Sequence, residues 1–69
     1  SPGAIRTLSS AGIKDFPELM RVAGEHSAMK RTATQSEVAK TAVFLASEAS
    51  SGITGQVIYV DCGYSIMAN

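Results

Sequence analysis

An unbroken apolar run, Val57-Ile58-Tyr59-Val60, lies near the end of the chain between the polar residues Gln56 and Asp61. Successive apolar residues, rather than alternating ones, are typical of a parallel strand that is covered on both faces. One strand cannot satisfy its own backbone hydrogen bonds, so we expect neighbouring strands elsewhere. The pattern therefore predicts a strand over residues 56–61 that belongs to a larger α/β sheet.

The helix predicted before this strand has a clear start signal. Thr34-Gln35-Ser36-Glu37 is a capping box, and apolar residues with several alanines follow it at helical spacing. The prediction is a helix over residues 34–47 that ends before the turn-rich run Ser50-Ser51-Gly52. A helix followed by a buried strand is half of a βαβ unit, so residues 1–69 are expected to be the carboxyl-terminal piece of one α/β domain.

An earlier helix is predicted to begin at Asp15. Asp15 is a favourable N-cap, Pro17 is tolerated in the first turn, and Glu18 completes a capping-box pattern. The apolar spacing weakens after Gly24, so we expect this helix to end near His26. The residues before Asp15 are small and poorly periodic, which indicates a mobile segment rather than a core helix.

Composition narrows the class of protein. A chain of 69 residues is near the lower size limit for an independent core, and its hydrophobic share of 45% favours a folded protein over a disordered one. Six basic residues balance six acidic ones, which argues against nucleic acid as a partner, and no membrane span is predicted. One histidine and one cysteine exclude a metal-ligand cluster and an internal disulfide, so no metal site is expected. The lone thiol of Cys62 fits a reducing compartment, and we expect a cytoplasmic protein.

Several blocks in order along the chain resemble the tail of a short-chain dehydrogenase/reductase. They are Pro2-Gly3-x-Ile5-x-Thr7, Arg31, Phe44-Leu45-Ala46-Ser47, Ile53-Thr54-Gly55-Gln56 and Val60-Asp61-x-Gly63. Within that family, residues 5–16 and the ending Gly63-Tyr64-Ser65-Ile66-Met67 are most similar to the bacterial enoyl-acyl-carrier-protein reductases of fatty-acid synthesis. The resemblance implies the carboxyl-terminal part of a Rossmann-like, doubly wound parallel sheet, in a whole enzyme that is a homotetramer.

The resemblance also implies which residues meet ligands. Gly3, Ala4, Ile5 and Thr7 would wrap the nicotinamide end of NADH or NADPH, with main-chain groups of Ile5 on the carboxamide and Thr7 on the pyrophosphate. A loop that follows a parallel strand is where open α/β sheets bind ligands, which agrees with this assignment. Residues 9–16 would form a lid over the acyl-carrier-protein-linked enoyl substrate, with substrate contacts from Ser9, Ser10, Ile13 and Phe16.

No catalytic residue is expected within the segment. The catalytic tyrosine of the family is followed by a lysine four or seven positions later, whereas Gly63 and Ile66 follow Tyr59 at those distances. Tyr64 has Ala68 four positions on, and no G-x-G-x-x-G fingerprint occurs. The fragment alone is therefore expected to be inactive.

Alternatives remain at each level. Pro2-Gly3 can be only a turn with Thr7 as a helix cap, and Ile13 and Phe16 can be core residues at a helix entry. The whole enzyme can be another short-chain reductase, such as a 3-oxoacyl-acyl-carrier-protein reductase. A chain of a different class, a small non-catalytic interaction module, also fits the composition.

Overall fold

The computed structural model describes residues 1–3, 5 and 14–67. Two α-helices form its regular structure, α1 at Phe16–His26 and α2 at Gln35–Ala46. Single 3₁₀ turns follow at Glu48–Ser50 and Tyr64–Ile66. No helix in the described ranges is long and apolar enough to cross a membrane.

The start of α1 differs from the prediction. Asp15 has φ 65° and ψ 9°, and its side chain makes no capping hydrogen bond, so the capping box predicted with Glu18 is wrong. A capping side chain reaches the first turn from an extended backbone, which a left-handed residue does not provide. Glu18 instead pairs with Arg21 at 2.6 Å, and Arg21 also pairs with Glu25. The helix ends at His26, as predicted.

The start of α2 confirms the predicted capping box. The Thr34 hydroxyl accepts a hydrogen bond from the Glu37 backbone N–H at 3.1 Å. The Glu37 carboxylate in turn accepts from the Thr34 backbone N–H at 2.9 Å. Both partners come from one turn of helix, which is why the four-residue motif is sufficient to specify the start.

The large apolar side chains near the end of α2 are only partly covered within the described part of the chain. Val43 is 71% exposed, and the helix has no buried residue. Val43, Phe44 and Leu45, the large apolar residues of its last turn, are all exposed, and we refer to them together as the apolar face of α2. Across the described residues, Ala33 is the one hydrophobic side chain that is buried.

The predicted strand over residues 56–61 is represented by a single parallel bridge. Val60 pairs with Pro2, and no extended strand is present among the described residues. Val57, Ile58 and Tyr59 are exposed, so the expected burial on both faces is also missing within this chain. The physical reason is that a strand is defined by its ladder, and among the described residues this run pairs only with residues 1–3.

Candidate functional site

The parallel pairing of Pro2 with Val60 places the starts of two loops, at Gly3 and at Asp61, on the same side. The Val60 N–H donates to the Ser1 carbonyl at 3.0 Å, and the Gly3 N–H donates to the Val60 carbonyl at 3.1 Å. Because the two segments run in the same direction, the chain leaves the pairing at Gly3 and at Asp61 on the same side. This is the carboxyl edge, where open α/β sheets bind ligands.

Gly3 lies directly against Asp61. A Cβ on Gly3 would be 2.8 Å from the Asp61 Cβ and 3.1 Å from its Cα, closer than side-chain atoms pack. The absence of a side chain therefore allows the first segment to approach Asp61. The resemblance singled out Gly3, and the structure gives this close approach as a physical reason for glycine there.

The Asp61 carboxylate organises the turn that follows it. One oxygen accepts from the Gly63 N–H at 3.0 Å and the other from the Ser65 N–H at 2.8 Å. The hydrogen bond from Ser65, supported by the one from Gly63, lowers the pKa of Asp61. The ionised carboxylate thus holds Gly63 at the start of the 3₁₀ turn Tyr64–Ile66.

The same turn contacts the loop after α1. The Met29 N–H donates to the Cys62 carbonyl at 3.0 Å. Gly63 has φ 83°, and a Cβ there would be 2.6 Å from the Ala28 Cβ. We refer to these four residues, Ala28, Met29, Cys62 and Gly63, as the turn joint. The local sequence pattern does not predict this contact, because its two sides are far apart along the chain.

A polar network connects the turn joint to α2. Ser27, which is 1% exposed, accepts from the Arg31 N–H at 3.0 Å and lies 2.8 Å from the Arg31 carbonyl oxygen. The Arg31 guanidinium binds Glu37 through two bonds of 2.9 and 2.8 Å. This pairing, with the Thr34 N–H, lowers the pKa of Glu37 to about 2. Arg31 and Glu37 thus form an ion pair between the residues before α2 and its first turn.

An open pocket of about 240 Å³ lies between these elements. Its lining consists of the α1 residue Ala23, the connecting residues 31–33, and Asp61 and Tyr64 from the other side. In the described ranges no group of three or more His, Cys, Asp or Glu side chains could hold a metal ion. Sequence reasoning noted Asp61 and Tyr64 as members of matching blocks and rejected Tyr64 as the catalytic tyrosine, but it assigned neither residue a role at a pocket.

The structure describes three of the eight residues that were predicted to meet ligands. Gly3, Ile5 and Phe16 are described; Phe16 is half-buried as the first residue of α1, and Ile5 is half-buried. Ala4, Thr7, Ser9, Ser10 and Ile13 lie outside the described residues. The structure therefore brings Gly3 to Asp61 and leaves the ligand contacts of the eight residues as predictions.

Known proteins similar to this chain agree with one another. A family model described as enoyl-(acyl carrier protein) reductase matches residues 1–65. The NADH-dependent enoyl-acyl-carrier-protein reductase FabI of Synechocystis is 54% identical over 67 residues, which cover 97% of this chain and 26% of that protein. Its counterpart in Neisseria meningitidis is 50% identical over 68 residues, covering 99% of this chain and 26% of that protein.

Solved structures give the same result in three dimensions. The Bacillus cereus enoyl-acyl-carrier-protein reductase, crystallised with NADP+ and indole naphthyridinone, superimposes with a TM-score of 0.87 at 48% identity, covering 100% of this chain and 27% of that one. FabI of Candidatus Liberibacter asiaticus gives a TM-score of 0.85 at 39% identity, covering 100% and 27% respectively. These likenesses support the predicted α/β class.

The chain spans about a quarter of the length of the curated relatives it matches. The range that the family model matches, residues 1–65, includes Gly3, both helices and Asp61. The chain belongs to the enoyl-(acyl carrier protein) reductase family.

Proposed function

We propose that this chain is part of an oxidoreductase of fatty-acid synthesis that reduces trans-2-enoyl-acyl-carrier-protein with NADH or NADPH. The observation that carries the proposal is the 54% identity, over 97% of the chain, to a reductase named for that reaction. The parallel pairing of residues 1–3 with Val60 supports it, because the loop after Gly3 then starts at the ligand-binding edge of an α/β sheet.

The proposed cofactor residues are Gly3, Ala4, Ile5 and Thr7. The fit to a nicotinamide dinucleotide rests on a backbone that approaches its neighbours without a side chain at Gly3, followed by a hydroxyl at Thr7 for a phosphate. A bound nicotinamide dinucleotide supplies the hydride. Relatives are named for NADH and one solved relative holds NADP+, so both cofactors belong in the test.

Substrate contacts are proposed at Ser9, Ser10, Ile13 and Phe16. Small serines leave space for the thioester, while Ile13 and Phe16 offer apolar surface to the acyl chain. In the reaction, hydride adds to the β-carbon, the electron pair moves to the thioester oxygen as an enolate, and a proton adds to the α-carbon. The group that stabilises the enolate lies in another part of the enzyme, so this segment orients the reactants and excludes water.

The remaining residues have a proposed architectural role. Residues 1–27 carry the cofactor loop and lid, 34–47 form the helix on the sheet, and 56–61 form the last strand of a Rossmann-like doubly wound domain. Ile66 and Met67 are exposed apolar residues that follow that strand in the sequence, which suits a contact between subunits of a cytoplasmic homotetramer.

The decisive assay uses the full-length enzyme that contains this chain. Crotonyl and acetoacetyl thioesters are compared, each with NADH and with NADPH, by following nicotinamide absorbance. We expect turnover of the crotonyl thioester. Turnover of the acetoacetyl thioester alone would establish the 3-oxoacyl reductase alternative, and a cooperatively folding isolated chain without either activity would favour the interaction module.

The cofactor assignment is tested at Thr7 in the same enzyme. Thr7→Val removes one hydroxyl with little change in shape, and we expect the KM for the cofactor to rise roughly tenfold, since a lost hydrogen bond to a charged group is worth about 1.5 kcal/mol. Thr54→Val is the matched control, because Thr54 is exposed and far along the chain from the loop. Equal cofactor KM values for the two variants would remove Thr7 from the site.

A further inference from the structure

Both ends of the segment that carries the proposed ligand residues meet one turn. At its start, Gly3 packs against Asp61 and donates its N–H to Val60. At its end, after α1, the Met29 N–H donates to Cys62, and Ala28 lies against Gly63. The described residues on the two sides of positions 4–27 thus meet the same three-residue turn, 61–63: Gly3 on one side, and Ala28 and Met29 on the other.

One side chain fixes the geometry of that turn. Asp61 uses its two carboxylate oxygens on two different backbone donors, Gly63 and Ser65. Cys62 has φ 55° and Gly63 has φ 83°, so the turn contains two consecutive left-handed residues. Such a backbone is unfavourable for Cys62 and is held by the surrounding hydrogen bonds.

We propose that Asp61 is a positioning residue that holds, through this turn, both Gly3 at the start of the proposed cofactor loop and the residues after α1, Ala28 and Met29. It touches Gly3 directly and acts on Ala28 and Met29 through Cys62 and Gly63. One contact set therefore couples the start of the proposed cofactor loop to the end of α1, the helix that begins at the proposed substrate residue Phe16. This inference rests on the proposed function only for the identity of the two ligands.

The kinetic test compares Asp61→Ala, Asp61→Asn and the control Glu48→Ala in the full-length enzyme. Glu48 is an exposed carboxylate outside the site. For Asp61→Ala we expect the KM values for cofactor and for crotonyl thioester to rise together, each roughly tenfold, with kcat per folded enzyme changed much less. Asp61→Asn retains one acceptor oxygen and is expected to recover part of both increases.

Three results would overturn the inference. A merely structural Asp61 lowers the amount of folded enzyme and leaves both KM values unchanged. A rise in only one KM contradicts the shared anchor. Full activity of Asp61→Ala at unchanged KM values contradicts any positioning role.

Hydrogen exchange separates this inference from the proposed function, because it needs no turnover. In Asp61→Ala, the amides of Gly3 and Met29 should both exchange faster than in the unaltered enzyme, while the α2 amide of Val38 should not. Faster exchange confined to Gly63 and Ser65 would sink the inference even if the enzyme reduces enoyl thioesters. An enzyme inactive on crotonyl thioester sinks the proposed function, and the two exchange rates still decide the role of Asp61.

Discussion

The turn joint and the apolar face of α2 have opposite relations to the rest of this chain. At the turn joint, residues more than thirty positions apart meet through a backbone hydrogen bond and a glycine contact too close for a side chain. On the apolar face, Val43, Phe44 and Leu45 remain exposed to solvent. The residues of the turn joint thus contact one another within this chain, whereas the apolar face of α2 lacks a covering partner among the described residues.

The difference shows how stability is distributed. Hydrogen bonds and capping contacts specify local geometry, but burial of apolar surface supplies most of the free energy of folding. In the described residues the contacts of the first kind are numerous, whereas Ala33 is the one hydrophobic residue that is fully buried. The described residues therefore have a well-defined local geometry but only a small hydrophobic core.

The largest expected effect is on the isolated chain. Residues 1–69 alone should show no cooperative thermal transition and should gain no stability from NADH, because the apolar face of α2 and residues 57–59 lack cover. Circular dichroism during heating, with and without NADH, measures this. A sharp monomeric transition would show that the turn joint and caps are sufficient without a larger core.

The next effect concerns Leu45 in the full-length enzyme. If the rest of the domain covers the apolar face, Leu45→Ala should lower the free energy of unfolding by about 3 kcal/mol, the usual cost of truncating a buried leucine. Lys40→Ala on the same helix is the control and should change it by less than about 0.5 kcal/mol. Urea titration of both variants gives the values, and equal small changes would mean that this face stays exposed in the whole enzyme.

The distance along the chain between contacting residues also explains which features the sequence alone could predict. The capping box of Thr34 and Glu37 was predictable because both partners lie within one turn. Asp15 carries the same kind of signal, but its backbone is left-handed, and residue type alone does not report that. The length and end of both helices followed from apolar spacing and turn residues.

The contacts of the candidate site were harder to predict from the sequence than the helices. A resemblance pointed to Gly3, yet its contact with Asp61 joins positions from opposite ends of the chain. Gly63 and Ala28 are likewise neighbours only in space. The strand over residues 56–61 was read from its apolar run, but a strand also requires neighbours, and here the pairing is limited to Pro2 and Val60.

A smaller effect is expected at the turn joint itself. Gly63→Ala in the full-length enzyme places a Cβ 2.6 Å from the Ala28 Cβ on a backbone with φ 83°. The strain should lower the free energy of unfolding by about 2 kcal/mol. Gly52→Ala is the matched control, because a Cβ there meets no atom within 4 Å, and the glycine φ is not in the left-handed range. Equal unfolding midpoints for the two variants would show that the joint relaxes without cost.

The smallest expected effect is the pH response of the Arg31–Glu37 pair. Folding lowers the pKa of Glu37 from 4.5 to about 2, so the pair stabilises the folded state above pH 4.5 and loses that contribution as the pH falls toward 2. The groups are largely exposed, so the contribution is modest. Urea midpoints measured from pH 6 down to pH 3 should fall less steeply for Glu37→Gln than for the unaltered enzyme, whereas Glu48→Gln should keep the original slope. Parallel slopes for all three proteins would show that this ion pair, and with it the connection from the turn joint to α2, adds nothing to stability.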